Sequence, residues 1–331
     1  MQHEGNASPV FTAAAVSQLP VRDRVGFDVH ARNAVDALAR VREAERAGVR
    51  QVWMTTGDAG QADTLTFYAA AGVQTTQIRL GTAIVPIYPR HPLVMAQQAL
   101  AIHDLAPGRL RLGVGPSHRH TIEQVYGLSM KAPLAYLREY VEVLRSVLWE
   151  GRIDHHGTFF NVVFSLSRTA PVPLLVSALG VKAFWLAGEI SDGAISWVCP
   201  VPYLLNKALP ALRAGAEARQ RPAPPLVAHV LLAMSTDRAA VRAATRRRLL
   251  PYATMPFYAH MFAEAGVPVA PDGSGIDVLV DALVVAGNEA AVQQRIRELL
   301  ASGLDELLIT PIPVADEERE RQQLLHLIGS L

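Results

Sequence analysis

The chain has 331 residues, half of them hydrophobic, with 18% charged and a formal net charge of +1. That is length for one large domain or two average ones, apolar content for a sizeable core, and too little basic excess for a nucleic-acid partner. The single cysteine, Cys199, excludes an internal disulfide and fits a reducing cytoplasm. No run of roughly 18 apolar residues and no basic-then-apolar leader is present, so a cytoplasmic protein with no membrane partner is expected.

Taken in order, Phe11 to Val16 is the expected first strand. Val35, Leu38, Val41 and Ala44 share a helix face over 34–47, and Gly48 ends that helix. Gln51 to Thr55 is a second strand, and Asp63 caps a helix to about Val73. Ile78 to Val85 is a nearly continuous apolar run, the pattern of a strand covered on both faces. Pro86, Pro89 and Pro92 end it, a helix covers Leu93 to His103, and Pro107-Gly108 turns into a strand over 109–115 that closes on Pro116-Ser117-His118. A strong helix carries Leu134, Leu137, Val141, Leu144 and Leu148. Residues 151–170 break the rhythm and form an excursion or hairpin over the rim.

Further strands are expected at 173–178, 194–198, 226–234 and 306–310, with helices after Gly180, over 202–219, from the Asn288 cap to Gly303, and over 316–329. The region 237–284 is too long for one crossover and holds an insertion, chiefly 246–284. Eight strands alternating with helices argue for an α/β fold: a single (β/α)8 TIM barrel spanning 1–331, with rim insertions. A doubly wound sheet is the runner-up, and no G-x-G-x-x-G opens a helix after a strand.

Five segments in order resemble the luciferase-like monooxygenase superfamily, and within it the oxidoreductases that use the deazaflavin coenzyme F420. They are 78–100 (IRLGTAIVPIYPRHPLVMAQQAL), 106–118 (APGRLRLGVGPSH), 126–148, 177–197 (SALGVKAFWLAGEISDGAISW) and 285–310. The resemblance implies a luciferase-like barrel with the coenzyme ring across the carboxyl ends of the strands, a small-molecule substrate and a homodimer. It also implies a bulge, often with a non-proline cis peptide, at Thr82-Ala83-Ile84 beneath the ring, where the residues alone read as a plain strand. Gly115, Ser117, Ser177, Ala178, Leu179 and Gly180 are the further coenzyme contacts it implies, the last four as a phosphate loop whose free N–H groups face an anion.

His118 stands three residues past Gly115, where several relatives place a glutamate near the reactive ring carbon. An imidazole there is a candidate for the proton that accompanies hydride transfer, or for a coenzyme contact. Relatives that oxidise sugars carry an Asp-His pair after the second strand; this chain has Met54-Thr55-Thr56-Gly57. The expected activity is hydride exchange between F420 and a C=O, C=C or C=N group. An FMN-dependent monooxygenase and a non-catalytic flavin-binding homologue are the alternatives. No metal site is expected, because His118 and His120 lack a third ligand at a fixed spacing. Cys199 reads as a buried thiol, Arg246-Arg247-Arg248 as a solvated helix face, and Arg90 as either a coenzyme contact or a surface ion pair.

Overall fold

The computed structural model describes residues 11–56 and 62–331. Eight parallel strands close on themselves: β1 Val25–Asp28, β2 Gln51–Met54, β3 Arg79–Thr82, β4 Leu110–Gly115, β5 Leu174–Ser177, β6 Gly193–Ile195, β7 Leu226–Ala233 and β8 Glu306–Pro311. β8 pairs back onto β1 with Leu307 beside Val25, which completes the TIM barrel. A short strand, Val284–Ala286, adds to β7 outside the barrel. Among the described residues no helix is long and apolar enough to cross a membrane.

The expected first strand at 11–16 is a correction. Ala13–Ser17 is a helix, capped by the Thr12 hydroxyl, and its apolar content serves the barrel floor: the Phe11 ring lies 5.5 Å from the Arg111 guanidinium and Val16 is buried. The true first strand is Val25–Asp28, where Val25, Phe27 and Val29 pack outward at period two. It stands at the usual short distance from its helix, Ala34–Arg46, whose Asn33 side chain accepts from the Asp36 amide. On that helix Val41 and Ala44 are buried, but Val35 is 80% exposed because it falls in the first turn, beyond the neighbouring packing.

Inside the barrel, one side chain does most of the filling. A Cβ on Gly26 would stand 2.4 Å from Trp53 Nε1, and one on Gly81 would stand 2.3 Å from Trp53 Cε3. The indole therefore needs glycine on both neighbouring strands, and Leu175, Ile195, Val227 and Leu308 close round it. Below it Arg111, 5.0 Å from the Trp53 ring, donates from Nη1 to Glu306 Oε2 at 2.6 Å and from Nη2 to Glu306 Oε1 at 2.7 Å. Gln51 Oε1 accepts from the same guanidinium at 2.8 Å. Both charges are sealed from solvent.

β3 is interrupted after Thr82, and pairing with β4 resumes at Val85, opposite Val114. The Ala83–Ile84 peptide between them is cis. The interruption frees the Gly113 backbone, and the buried Thr82 hydroxyl takes it up: it accepts from Gly113 N at 2.8 Å and donates to Gly113 O at 2.7 Å.

Residues 152–165 form an antiparallel hairpin, Arg152–His156 against Asn161–Ser165. Its described contacts run along the helix Pro133–Arg145, whose Glu139 carboxylate accepts from the amides of Thr158, Phe159 and Phe160. The second insertion is three helices, Arg238–Ala253, Pro256–Glu264 and Ile276–Leu283.

The floor makes a testable statement about stability. Glu306→Leu leaves the Arg111 guanidinium buried without its counter-charge and is expected to cost about 3–5 kcal/mol in urea unfolding. Arg111→Met in the same chain should recover most of that loss. A double variant as unstable as the single one would contradict this account.

Candidate active site

At the carboxyl end of the barrel the inward side chains turn polar. Four of them, from β8, β7 and β1 and the residue two past β1, form one hydrogen-bonded chain. The Val198 amide donates to His229 Nδ1 at 3.1 Å, so the proton of the neutral ring sits on Nε2 and is shared with Thr310 Oγ1 at 2.9 Å. The Thr310 hydroxyl then donates to Asp28 Oδ2 at 2.6 Å, and His30 Nε2 meets the same oxygen at 2.9 Å. Asp28 Oδ1 is buried with no partner among the described residues. Val198 holds φ +52°, a left-handed conformation unfavourable to a β-branched residue, and that conformation accompanies the amide's aim at His229. Trp197 lies flat on the His229 ring at 3.8 Å and 15° and donates to the Tyr252 hydroxyl at 3.0 Å.

These contacts separate the titrations. Burial first, against a smaller pull from Asp28, pushes the His229 pKa down to about 3, so the ring is neutral. For His30 the charge of Asp28 is the largest influence and raises the pKa above the ordinary histidine value. Burial acts to raise the Asp28 pKa, but the charge of His30 and the hydrogen bonds from His30 and Thr310 together outweigh it and leave it lowered.

The residues singled out in the sequence fall on the neighbouring arc, β3 to β5. A Cβ on Gly115 would stand 2.1 Å from Ser177 Oγ and 3.3 Å from Ile84 Cγ1, so Ile84, Gly115 and Ser177 converge on one point. Ala83 is buried beside them. Ser117 is left-handed at φ +62°, and the half-buried His118 follows it. The His118 ring centroid lies 6.2 Å from Tyr252 and 6.0 Å from Tyr258, and burial alone lowers its pKa.

Two of the expected contacts are restricted by the geometry. The Thr82 hydroxyl is spent on Gly113, and the Ala178 amide is spent on the Ile195 carbonyl at 3.0 Å, because both groups remain within the barrel wall. A phosphate contact from the loop after β5 thus falls to the amides from Leu179 onward. Gly180 precedes the ten-residue helix Val181–Ile190 with no side-chain cap, and its Cα faces open space. That combination fits an anion approaching the backbone closely. An organic coenzyme with a flat ring and a phosphate therefore has a matching set here: small groups at Ala83 and Gly115, then an open, uncapped helix start at Gly180.

Elsewhere, Arg90 pairs with Asp63. Cys199 is buried against Met261, and burial pushes its thiol up to about 12, which suits packing rather than nucleophilic work. Tyr258 and Met261 are buried, whereas Phe257 is 77% exposed and no part of a wall. Arg246, Arg247 and Arg248 are exposed on their helix, and Arg248 also donates to the Pro311 carbonyl at 3.1 Å and reaches His30. Of the Met54-Thr55-Thr56-Gly57 stretch, Gly57 lies outside the described residues, with 58–61.

Asp28, His30, His229 and Thr310 were not singled out in the sequence. The first two were hidden by the misplaced first strand; the period-two run Val25, Phe27, Val29 just ahead of the Asn33 cap is the signal that finds them.

A closed (β/α)8 barrel with this mouth defines the class. The luciferase-like monooxygenase family matches residues 15–307, and the chain belongs to that family. It is 32% identical over 170 residues to a putative coenzyme F420-dependent oxidoreductase of Mycobacterium tuberculosis, covering 46% of this chain and 48% of the relative. It is also 32% identical over 177 residues to an F420-dependent glucose-6-phosphate dehydrogenase of Segniliparus rotundus, covering 50% and 52% respectively. The chain spans about half the length of the curated relatives it matches. Among solved structures, an F420-dependent secondary alcohol dehydrogenase in complex with an F420-acetone adduct superposes with a TM-score of 0.74 at 20% identity, over 92% of this chain and 97% of that one.

The buried neutral His229 has a consequence for acid stability. Its folded pKa lies below its unfolded value, so its contribution is complete above about pH 6.5 and is lost as pH falls towards about 3. Urea unfolding of the wild type should lose stability across that window at about 1.4 kcal/mol per pH unit more steeply than His229→Gln. Parallel pH profiles for the two proteins would refute the assignment.

Proposed function

We propose that the chain is an oxidoreductase that uses coenzyme F420 at the carboxyl end of its barrel. The observation that carries this reading is the convergence of Ile84, Gly115 and Ser177 at the break in β3, with the uncapped, open Gly180 helix start beside it. Relatives named for F420 support the choice of coenzyme. F420 supplies hydride exchange with a C=O, C=C or C=N group of a small organic substrate.

The chain's own residues hold, orient and dry the site. The amides from Leu179 onward take the phosphate, with Ser177, Gly115 and Ser117 along the ring's approach. We assign Tyr252 and Tyr258, whose rings pack against each other beside His118, to keeping water from the site. We assign His118 to contact with the coenzyme or the substrate beside it. No carboxylate holds it protonated, and its neutral ring is fitted to accept a hydrogen bond. Sugar phosphate is not the substrate we propose, since Met54-Thr55-Thr56 replaces the Asp-His pair after β2.

Two experiments test this reading. Fluorescence titration should give a micromolar or tighter Kd for F420 and much weaker binding of FMN, with His118→Ala weakening F420 but leaving turnover at saturation largely intact; preference for FMN would overturn the coenzyme, and a turnover loss of about 10²-fold at unchanged affinity would move the proton to His118.

We also propose a homodimer through the second and third helices, Thr64–Gln74 and Pro92–Leu105, which leave Val73, Val94 and Leu105 exposed. Light scattering at micromolar concentration should give twice the chain mass, and a monomer would refute the pairing.

A further inference from the structure

We infer that His30, held by Asp28, is the acid that delivers the proton to the substrate when hydride is added. The inference rests on the redox reading above and concerns residues to which that reading gives no role.

The geometry fixes which way the protons point. His30 Nε2 has two neighbours, Asp28 Oδ2 at 2.9 Å and Arg248 Nη2 at 3.0 Å. A ring that accepted from Arg248 through Nε2 would set a lone pair against the carboxylate oxygen. The carboxylate is the stronger draw on the Nε2 hydrogen, so Arg248 Nη2 stands beside it as a second donor while Arg248 Nη1 donates to the Pro311 carbonyl. Asp28 in turn has no choice of partner, since Val198 and His229 direct the Thr310 hydroxyl onto the same oxygen. The carboxylate thus orients the imidazole through Nε2 and leaves Nδ1, which has no hydrogen-bond partner among the described residues, as the working nitrogen.

The surroundings suit a substrate. His30 is partly open, with 35% of its side chain exposed, and it borders a cavity of about 200 Å³ whose apolar lining includes Phe27, Leu232, Met234, Pro311, Ile312 and Leu324. Asp28 borders the same cavity, and its Oδ1 is buried without a partner among the described residues. A sealed carboxylate oxygen without a donor is a defect that a binding site retains for a ligand N–H or O–H. Other charges border the cavity: Arg248 from helix 238–253, Arg40 from helix 34–46, and Glu317, Glu320 and Arg321 from the last helix. Glu320 is taken up by the amides of Val314, Ala315 and Asp316, and Arg321 by Glu43 and Glu318. Arg40 pairs with Asp36 and Glu317; its charge and that of Arg248 oppose protonation of His30, and the closer charge of Asp28 outweighs them.

The step balances with one hydride and one proton. As hydride reaches the electrophilic carbon of C=X, the π pair moves onto X and X takes the proton from Nδ1 of His30. The ring becomes neutral and is recharged from solvent. The contrast with His118 supports the assignment: Asp28 raises the pKa of one histidine and burial lowers that of the other, so near neutrality the first is the acid.

The test has two independent readouts. In the coenzyme-free protein, imidazole NMR should show His30 titrating above the ordinary histidine value and dropping in Asp28→Asn; a ring already neutral at pH 6 in the wild type overturns the inference. In single-turnover oxidation of reduced F420 by 2-cyclohexen-1-one and cyclohexanone, the rate should fall as pH rises through the His30 pKa. His30→Gln should lose about 10²-fold and that pH limb, with F420 affinity within twofold of wild type, and Asp28→Asn should move the limb to lower pH. A limb kept in His30→Gln and lost in His118→Ala transfers the role to His118. Failure of the wild type to bind F420 removes the redox reading, and the donor role with it. The NMR result still reports on the Asp28–His30 pair separately.

Discussion

Trp53 is the constraint on which the barrel depends. An indole lying across the interior needs its neighbours to recede, and Gly26 and Gly81 do so on the two adjoining strands. Its lower face is covered by a guanidinium whose two terminal nitrogens are met by Glu306 and Gln51, so the floor is closed by a buried ion pair with Arg111 Nε left without a partner among the described residues. Such a pair contributes less net stability than its Coulomb energy suggests, because both ions are desolvated. What it does is fix orientation: two parallel hydrogen bonds from Arg111 of β4 to Glu306 of β8 tie opposite walls of the barrel together beneath the indole. With floor and middle filled, the inward positions left for chemistry are those at the carboxyl ends.

There the barrel divides into two arcs of different character. From β3 to β5 the residues are small, Ala83 and Gly115 among them, and the backbone at Gly180 faces open space. From β6 round to β1 the positions carry Trp197, His229, Thr310 and Asp28, joined by stacking and hydrogen bonds. The first arc suits a flat group that needs room, and the second suits a partner that needs directed polar contacts. Three histidines stand at this end in three environments: His229 is kept neutral by burial, His118 is shifted the same way without a charged partner, and His30 is raised by Asp28. One residue type thereby covers a structural acceptor, a contact whose protonation burial opposes and a ring whose protonation a carboxylate favours.

How far this was legible in the sequence depended on where the apolar side chains lie. β2, β4, β5, β7 and β8 were visible because their runs are apolar on both faces, and Asp63, Asn288 and Gly48 marked helix ends where the expected cap geometry is found. The arc from β3 to β5 came from the family resemblance, since glycine and alanine in a strand carry no signal of a site by themselves. The use of the Thr82 hydroxyl and the Ala178 amide within the wall was not legible, because pairing across an interrupted strand depends on register.

β1 shows why the remaining arc was missed. In Val25-Gly-Phe-Asp-Val-His30 the outward positions are Val25, Phe27 and Val29, the inward ones are Gly26 and Asp28, and His30 follows two residues past the strand. Glycine is required by the indole, and the two polar residues are required at the mouth. Half of the strand is therefore stripped of the hydrophobic signal by which a barrel strand is recognised. Meanwhile Phe11 to Val16 carries more apolar residues because it covers a floor. The features that make β1 a candidate for chemistry are the same ones that made it inconspicuous as a strand, and local pattern fails where function displaces packing.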